Sequence, residues 1–286
     1  MKISHEPIQD KNIISFIDTI FSQITYEKLV NLTHSDLDKS WRTWISSSTY
    51  NQVIGLDELK YSAFSPGTTD SFGEFISRYP NKRVRVSRSD FILTKILTKS
   101  YGRQLSYLEE EDLQENDCMI MSFPYSGNGS DYPGWEKLFD DADKLNIPVF
   151  IDAAYFGISS GVYYPLNRKC VTDFAISLSK NLAGNPLRLG IRFTKEEIDD
   201  GITAGLIGSD VYDRLGAYIS IELLNQFPHD WLIDRYKNHS KKICIENNLV
   251  PTKTFTIGIG SSQMQDFKRG DYVRVCIAEE ISRLTL

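Results

Sequence analysis

From residue 71 onward the chain alternates short apolar runs with amphipathic stretches, and this alternation restricts the fold more than any other feature. The pattern predicts a helix over 71–78, a strand over 83–86, a helix over 90–98 and a strand over 104–108. It continues with a strand over 118–122, a helix over 134–145, and strands over 148–151 and 173–177. Apolar strands separated by helices pair in parallel, because a helical crossover returns the chain to the same edge of the sheet. The expected class is α/β, a mostly parallel sheet flanked by helices. Beyond Gly190 the texture changes to helical stretches at 195–205, 210–226 and 231–247, then strands at 254–259 and 272–277, which predicts a smaller C-terminal α+β domain. At the other end, Ile13, Ile14, Phe16, Ile17, Ile20, Phe21 and Ile24 recur at helical spacing, so residues 10–31 read as an amphipathic helix. Residues 32–70, rich in Ser, Thr, Trp and Tyr, read as irregular: an arm over another subunit or a cap on the core. The domains expected are 1–60 as N-terminal helix and arm, 61–192 as the large domain and 193–286 as the small one.

A formal net charge of -6 argues against nucleic acid or an anionic membrane as the main partner. The basic run from Lys82 to Arg88 alternates with valine and reads as a strand with one solvated face. Cys118, Cys170, Cys244 and Cys276 are far apart and flanked by apolar residues, so buried thiols are expected, with no metal site. No apolar run approaches the roughly 20 residues of a membrane span, and the first residues lack an apolar signal core. A soluble, cytoplasmic protein is the expectation.

Sheets of this kind place ligands at the carboxyl ends of their strands. The residues that directly follow the apolar runs are Ser87-Arg88-Ser89-Asp90, Phe123 to Gly129, Asp152-Ala153-Ala154-Tyr155, and Ser177-Leu178-Ser179-Lys180 with Arg188 beyond. An acid, a phenol, a lysine, hydroxyls and an arginine are thereby directed to one edge of the sheet. Solubility alone does not require that.

The stretch VFIDAAYFG followed by SLSKNLAGNPLRLG resembles the paired signature of the fold-type I, class I/II aminotransferases, which use pyridoxal 5′-phosphate (PLP). The likeness runs from about residue 60 to the C-terminus and is strongest over 118–192. It implies that Lys180 holds PLP as a Schiff base and later moves the substrate α-proton. It also implies that Asp152 faces the pyridine nitrogen and that Tyr155 donates to the phenolate oxygen. Ser177, Ser179 and Arg188 resemble the family's phosphate ligands, and the loop with Ser87 and Ser89 is placed at the same phosphate because it precedes a helix. Arg274, within Tyr272 to Ala278, resembles the arginine that pairs with the substrate α-carboxylate. Tyr61 matches a residue that reaches a neighbouring subunit's phosphate, and a homodimer is implied.

The chain departs from the family pattern in two places. Ser126 stands where an asparagine normally contacts the phenolate oxygen. A gap between the phosphate-loop helix and the strand at 104–108 falls where the ring-stacking aromatic is usually found, leaving Tyr101 or Phe123 as substitutes. The activity implied is transamination between an amino acid and a keto acid. Elimination, decarboxylation, biosynthetic condensation and a catalytically reduced binding subunit remain open on the same scaffold.

Overall fold

The computed structural model describes residues 7–182, 186–207 and 209–284. At its centre is a seven-stranded sheet in the order β2-β9-β8-β6-β5-β3-β4. These are β2 (Tyr61–Ser65), β3 (Arg83–Val86), β4 (Leu105–Tyr107), β5 (Asp117–Ser122), β6 (Val149–Ala153), β8 (Val171–Ser177) and β9 (Gly190–Thr194). All neighbours pair in parallel except β9, which runs antiparallel to both β2 and β8. Short strands β1 (Gln52–Ile54) and β7 (Tyr163–Pro165) pair in parallel beside it.

Alternation along each strand divides the core in two. Cys118, Ile120 and Phe150 join Phe72, Phe75 and Ile76 on the face covered by α4 (Thr68–Arg78) and α5 (Ile92–Ser100). Met119, Met121, Val149 and Ile151 belong to the opposite, larger core with Phe139 of α6 (Trp135–Leu145). That larger core also takes in the N-terminal helices α1 (Lys11–Gln23), α2 (Tyr26–Asn31) and α3 (His34–Ser46), and the long α7 (Arg214–Gln226). Burial on both faces is why these strands are apolar throughout.

Several elements differ from the sequence reading. The single helix expected over 10–31 is two, because Thr25 caps α2 by accepting from the Lys28 amide and interrupts the run. The stretch read as irregular holds α3, which opens on a capping box between Thr33 and Asp36 and buries Leu37, Trp41, Trp44 and Ile45. It also holds β2, the edge strand of the sheet. Residues 195–205 form turns instead of a helix, since Asp200 accepts from the Ile202 and Thr203 amides and from Arg192.

C-terminal to α7 come α8 (Trp231–Glu246) and a four-stranded antiparallel sheet in the order β10-β11-β13-β12. Its strands are β10 (Val250–Pro251), β11 (Ile257–Ile259), β12 (Lys268–Arg269) and β13 (Tyr272–Cys276), followed by α9 (Ala278–Ser282). The four cysteines are free and buried. Among the described residues no helix is long and apolar enough to cross a membrane.

Below the strand ends, Asp117 at the start of β5 holds two arginines of β3. Arg83 Nε donates to Oδ1 at 2.7 Å and Arg85 Nη1 to Oδ2 at 2.8 Å, with Arg85 fully buried. Breaking such a cluster leaves guanidinium charge without compensation inside the protein. Asp117→Asn should therefore cost about 3–5 kcal/mol in denaturant unfolding. Arg88→Ala, which removes an exposed pair with Glu110, should cost less than about 1 kcal/mol. Equal costs for the two substitutions would contradict the role given to Asp117.

Candidate functional site

At the carboxyl ends of β5, β6 and β8 lies a cavity of about 290 Å³. Ser122, Ser126, Asp152, Tyr155, Ser177, Ser179, Lys180 and Arg188 line it, together with Thr68, Thr69, Phe91, Leu93 and Ala154. The sheet builds this directly: Ser122 and Asp152 are paired residues on β5 and β6, and Asp152 is paired with Ala175 on β8. Lys180 follows β8 in a short 3-10 turn that the Ser177 hydroxyl caps by accepting from the Ser179 amide.

At one end of the cavity the groups suit an anion. Arg188 Nη1 donates to Ser179 Oγ at 3.1 Å, and the Ser177 and Ser179 hydroxyls are 2.8 Å apart. Helix α4 begins beside them, capped by Gly67 with φ at 87°. A Cβ built on Gly67 would lie 2.5 Å from Arg188 Nη2 and 3.6 Å from Ser177 Oγ, so glycine keeps this cradle open. Arginine, hydroxyls and helix amides facing one space are the donors a phosphate takes. Among the described residues no carboxylate lies within ion-pair distance of Arg188.

Asp152 is 5% exposed. Its Oδ1 accepts the Ala154 amide at 3.0 Å, and the Thr68 side chain lies alongside the carboxylate and favours its charged form. Burial, reinforced by the neighbouring Asp90 carboxylate, pushes its pKa up from 3.8 to about 7. Among the described residues no cation reaches it within ion-pair distance. A protonated ring nitrogen is a group that such a carboxylate would stabilise. Burial likewise pulls the Lys180 ammonium below the usual lysine range, helped by Arg188 and Arg274 against Tyr155 and Cys276.

Arg274 on β13 is 1% exposed; its Nη1 donates to the Ser126 carbonyl at 2.7 Å and to Tyr155 Oη at 3.2 Å. The C-terminal sheet therefore closes on the same corner as Tyr155 and Ser126. The apolar wall comes from Phe91, the N-cap of α5, and Leu93 in its first turn.

Most residues singled out in the sequence meet at this cavity; Arg274 stands behind its wall, bonded to the lining residues Ser126 and Tyr155, and Ser87 and Ser89 do not line it. Ser87 is hydrogen-bonded to Glu109 and Tyr125, and Ser89 accepts the Asp271 amide at 3.0 Å. The helix start that faces Arg188 is that of α4, so the loop at 87–90 is not the anion cradle. Thr68 and Thr69 escape the sequence reading because β2, which delivers them to the cavity, lies in the stretch that reads as irregular. Tyr101 places its hydroxyl near Gly73 of α4, and Phe123 packs on Trp135, Phe139 and Tyr164, so neither lines the cavity. Phe91 supplies the aromatic wall, and its place directly after Asp90 in the loop between β3 and α5 is the available signal. Tyr61 is 42% exposed at the start of the edge strand, away from these residues.

No protein-family model matches the chain, and no curated protein matches it by sequence. Solved structures do. A PLP-bound C-S lyase from Staphylococcus hominis aligns over 97% of this chain and 88% of its own, at 12% identity and a TM-score of 0.67. Aspartate aminotransferase from Thermus thermophilus with maleate aligns over 97% and 95%, at 13% identity and a TM-score of 0.62. Tyrosine aminotransferase from Leishmania infantum aligns over 97% and 90%, at 10% identity and a TM-score of 0.67. At these identities the likeness establishes the fold.

Asp152 carries a pH signature. Between about pH 4 and 7 the folded chain keeps a proton there that the unfolded chain releases, so folded stability falls as pH rises through this window. Asp152→Asn should stabilise the cofactor-free protein at pH 8 by up to about 4 kcal/mol and leave stability near pH 4 almost unchanged. Denaturant unfolding at the two pH values measures this, and an equal change at both would contradict it.

Proposed function

We propose, for a chain whose fold is that of the fold-type I PLP-dependent aminotransferases and lyases, that it binds PLP through Lys180 and transaminates an amino acid. The observation that carries the reading is the placement of Lys180 on one cavity wall together with Asp152 and the cradle of Arg188, Ser179, Ser177 and the α4 amino terminus. These sites match the amine, ring and phosphate requirements of a single elongated cofactor.

When bound, PLP withdraws electrons from the substrate α-carbon. The protein's own groups supply the remainder. Arg188 and the two serine hydroxyls would hold the phosphate dianion, and the positive end of α4 adds to their field. Asp152, desolvated and lacking a cation of its own, would keep the pyridine nitrogen protonated. Tyr155 would donate toward the phenolate oxygen while its own oxygen accepts from Arg274. Phe91 would pack against the ring, and Arg274 would take the substrate carboxylate. Lys180, its ammonium disfavoured by burial, would be suited to take a proton from the substrate α-carbon and to deliver it to the C4′ carbon of the cofactor.

Purified protein incubated with PLP and desalted should show a visible absorption band, and Lys180→Ala should lose it. Adding a panel of amino acids should discharge the band with formation of the matching keto acid. Release of keto acid and ammonia with continuous turnover, in the absence of an acceptor, would replace transamination with elimination. No visible band in the wild-type protein would overturn the reading.

A further inference from the structure

The loop between β3 and α5 does not hold the anion, yet it buries an acid of its own. Asp90 is buried without lining the cavity. Its Oδ1 accepts the Phe91 amide at 2.7 Å and the Ser122 hydroxyl, and its Oδ2 accepts the Ser122 amide at 3.2 Å. The Ser122 hydroxyl oxygen in turn accepts the Ser126 amide at 3.0 Å. Phe91, Ser122 and Ser126 all line the cavity, so one carboxylate sets the spacing between its aromatic wall and the rim that follows β5. Each Asp90 oxygen meets donors, an arrangement an asparagine could not satisfy, because its amide nitrogen would face a backbone N–H.

Asp90 also lies close to Asp152, since Ser122, bound to it through both amide and hydroxyl, is the register partner of Asp152. Its charge is felt there, adding to the effect of burial. Lys95 of α5, Arg269 of β12 and the phenols of Tyr125 and Tyr132 stand around Asp90. Among the described residues no lysine or arginine lies within ion-pair distance of it. Poorly hydrated carboxylates behind one wall disfavour each other's charge, and a cation placed before them relieves both.

We propose that Asp90 is a positioning residue for the cofactor ring: its carboxylate fixes the Phe91 wall against the Ser122 and Ser126 rim and adds a second negative charge to the side that receives a protonated pyridine nitrogen. This deepens the proposed function and rests on it, because it places PLP in the cavity with its nitrogen at Asp152.

A pair of phosphate-bearing probes that form no Schiff base tests this in cofactor-free protein by calorimetric titration. Deoxypyridoxine 5′-phosphate, which lacks the aldehyde, carries the basic ring nitrogen, and benzyl phosphate does not. Wild-type protein should bind the first at least about tenfold more tightly. Asp90→Asn should reduce that preference by about threefold to tenfold, whereas Asp90→Glu, which keeps the charge, should retain most of it. Ser122→Ala loosens the rim and leaves both carboxylates, so it should weaken both probes by a similar factor. Thermal unfolding identifies folded variants, and Asp90→Ser takes the place of Asp90→Asn if the latter does not fold. An undiminished preference in the uncharged variant would sink this inference alone, as would equal binding of the probes by wild-type protein that shows the visible band with PLP. Ser122→Ala binding both probes like wild type would contradict the role given to the rim. Wild-type protein that binds neither probe and shows no band would remove the proposed function as well.

Discussion

A parallel sheet buried on both faces can expose polar side chains only where its strands end. That constraint organises this protein. The residues of β5 and β6 are all buried, with Cys118, Ile120 and Phe150 in one core and Met119, Met121, Val149 and Ile151 in the other. Ser122, Asp152 and Lys180 meet because they end or follow neighbouring strands in register. Antiparallel β9 closes the arrangement from the other side, pairing Ser177 with Gly190 and placing Arg188 just before it beside the α4 cap.

The electrostatics follow from the same geometry. Strand ends inside a helical layer are poorly hydrated, so burial is the largest influence on both Asp152 and Lys180. It favours the neutral form of each, raising the carboxyl and lowering the amine. A carboxylate that gains by meeting a cation and an amine that gives up its proton readily are the properties PLP chemistry uses. The C-terminal sheet contributes through β13, where Arg274 links Tyr155 to the Ser126 loop.

Much of this was readable from residue order. Short apolar runs and the polarity that follows them locate the parallel strands, and the Asp152 to Tyr155 and Ser177 to Lys180 segments mark the cavity. What escaped reading depends on tertiary partners. Among the described residues strand β2 pairs only with β9, 125 residues later at Ser65 and Gly190, and its short sequence YSAFS carries no strong period. With β2 unseen, the Gly67 to Thr69 cradle was assigned to the next loop, at Ser87 and Ser89. Phe91 escapes for a different reason: the ring-packing aromatic is sought at Tyr101 or Phe123, whereas Phe91 caps α5 in the loop that the reading gives to phosphate. Residues 195–205 show the converse: a helical composition yields to the hydrogen bonds that Asp200 makes with Arg192 and its own turn.

The central claim is that Lys180, among the lysines of this chain, is the amine directed at a PLP held between Asp152 and Arg188. Borohydride reduction of PLP-incubated protein, followed by proteolysis and mass mapping, tests it most directly. The account predicts a phosphopyridoxyl adduct on the peptide containing Lys180 at near one equivalent per chain. An adduct spread over surface lysines, with the Lys180 peptide unmodified, would contradict it.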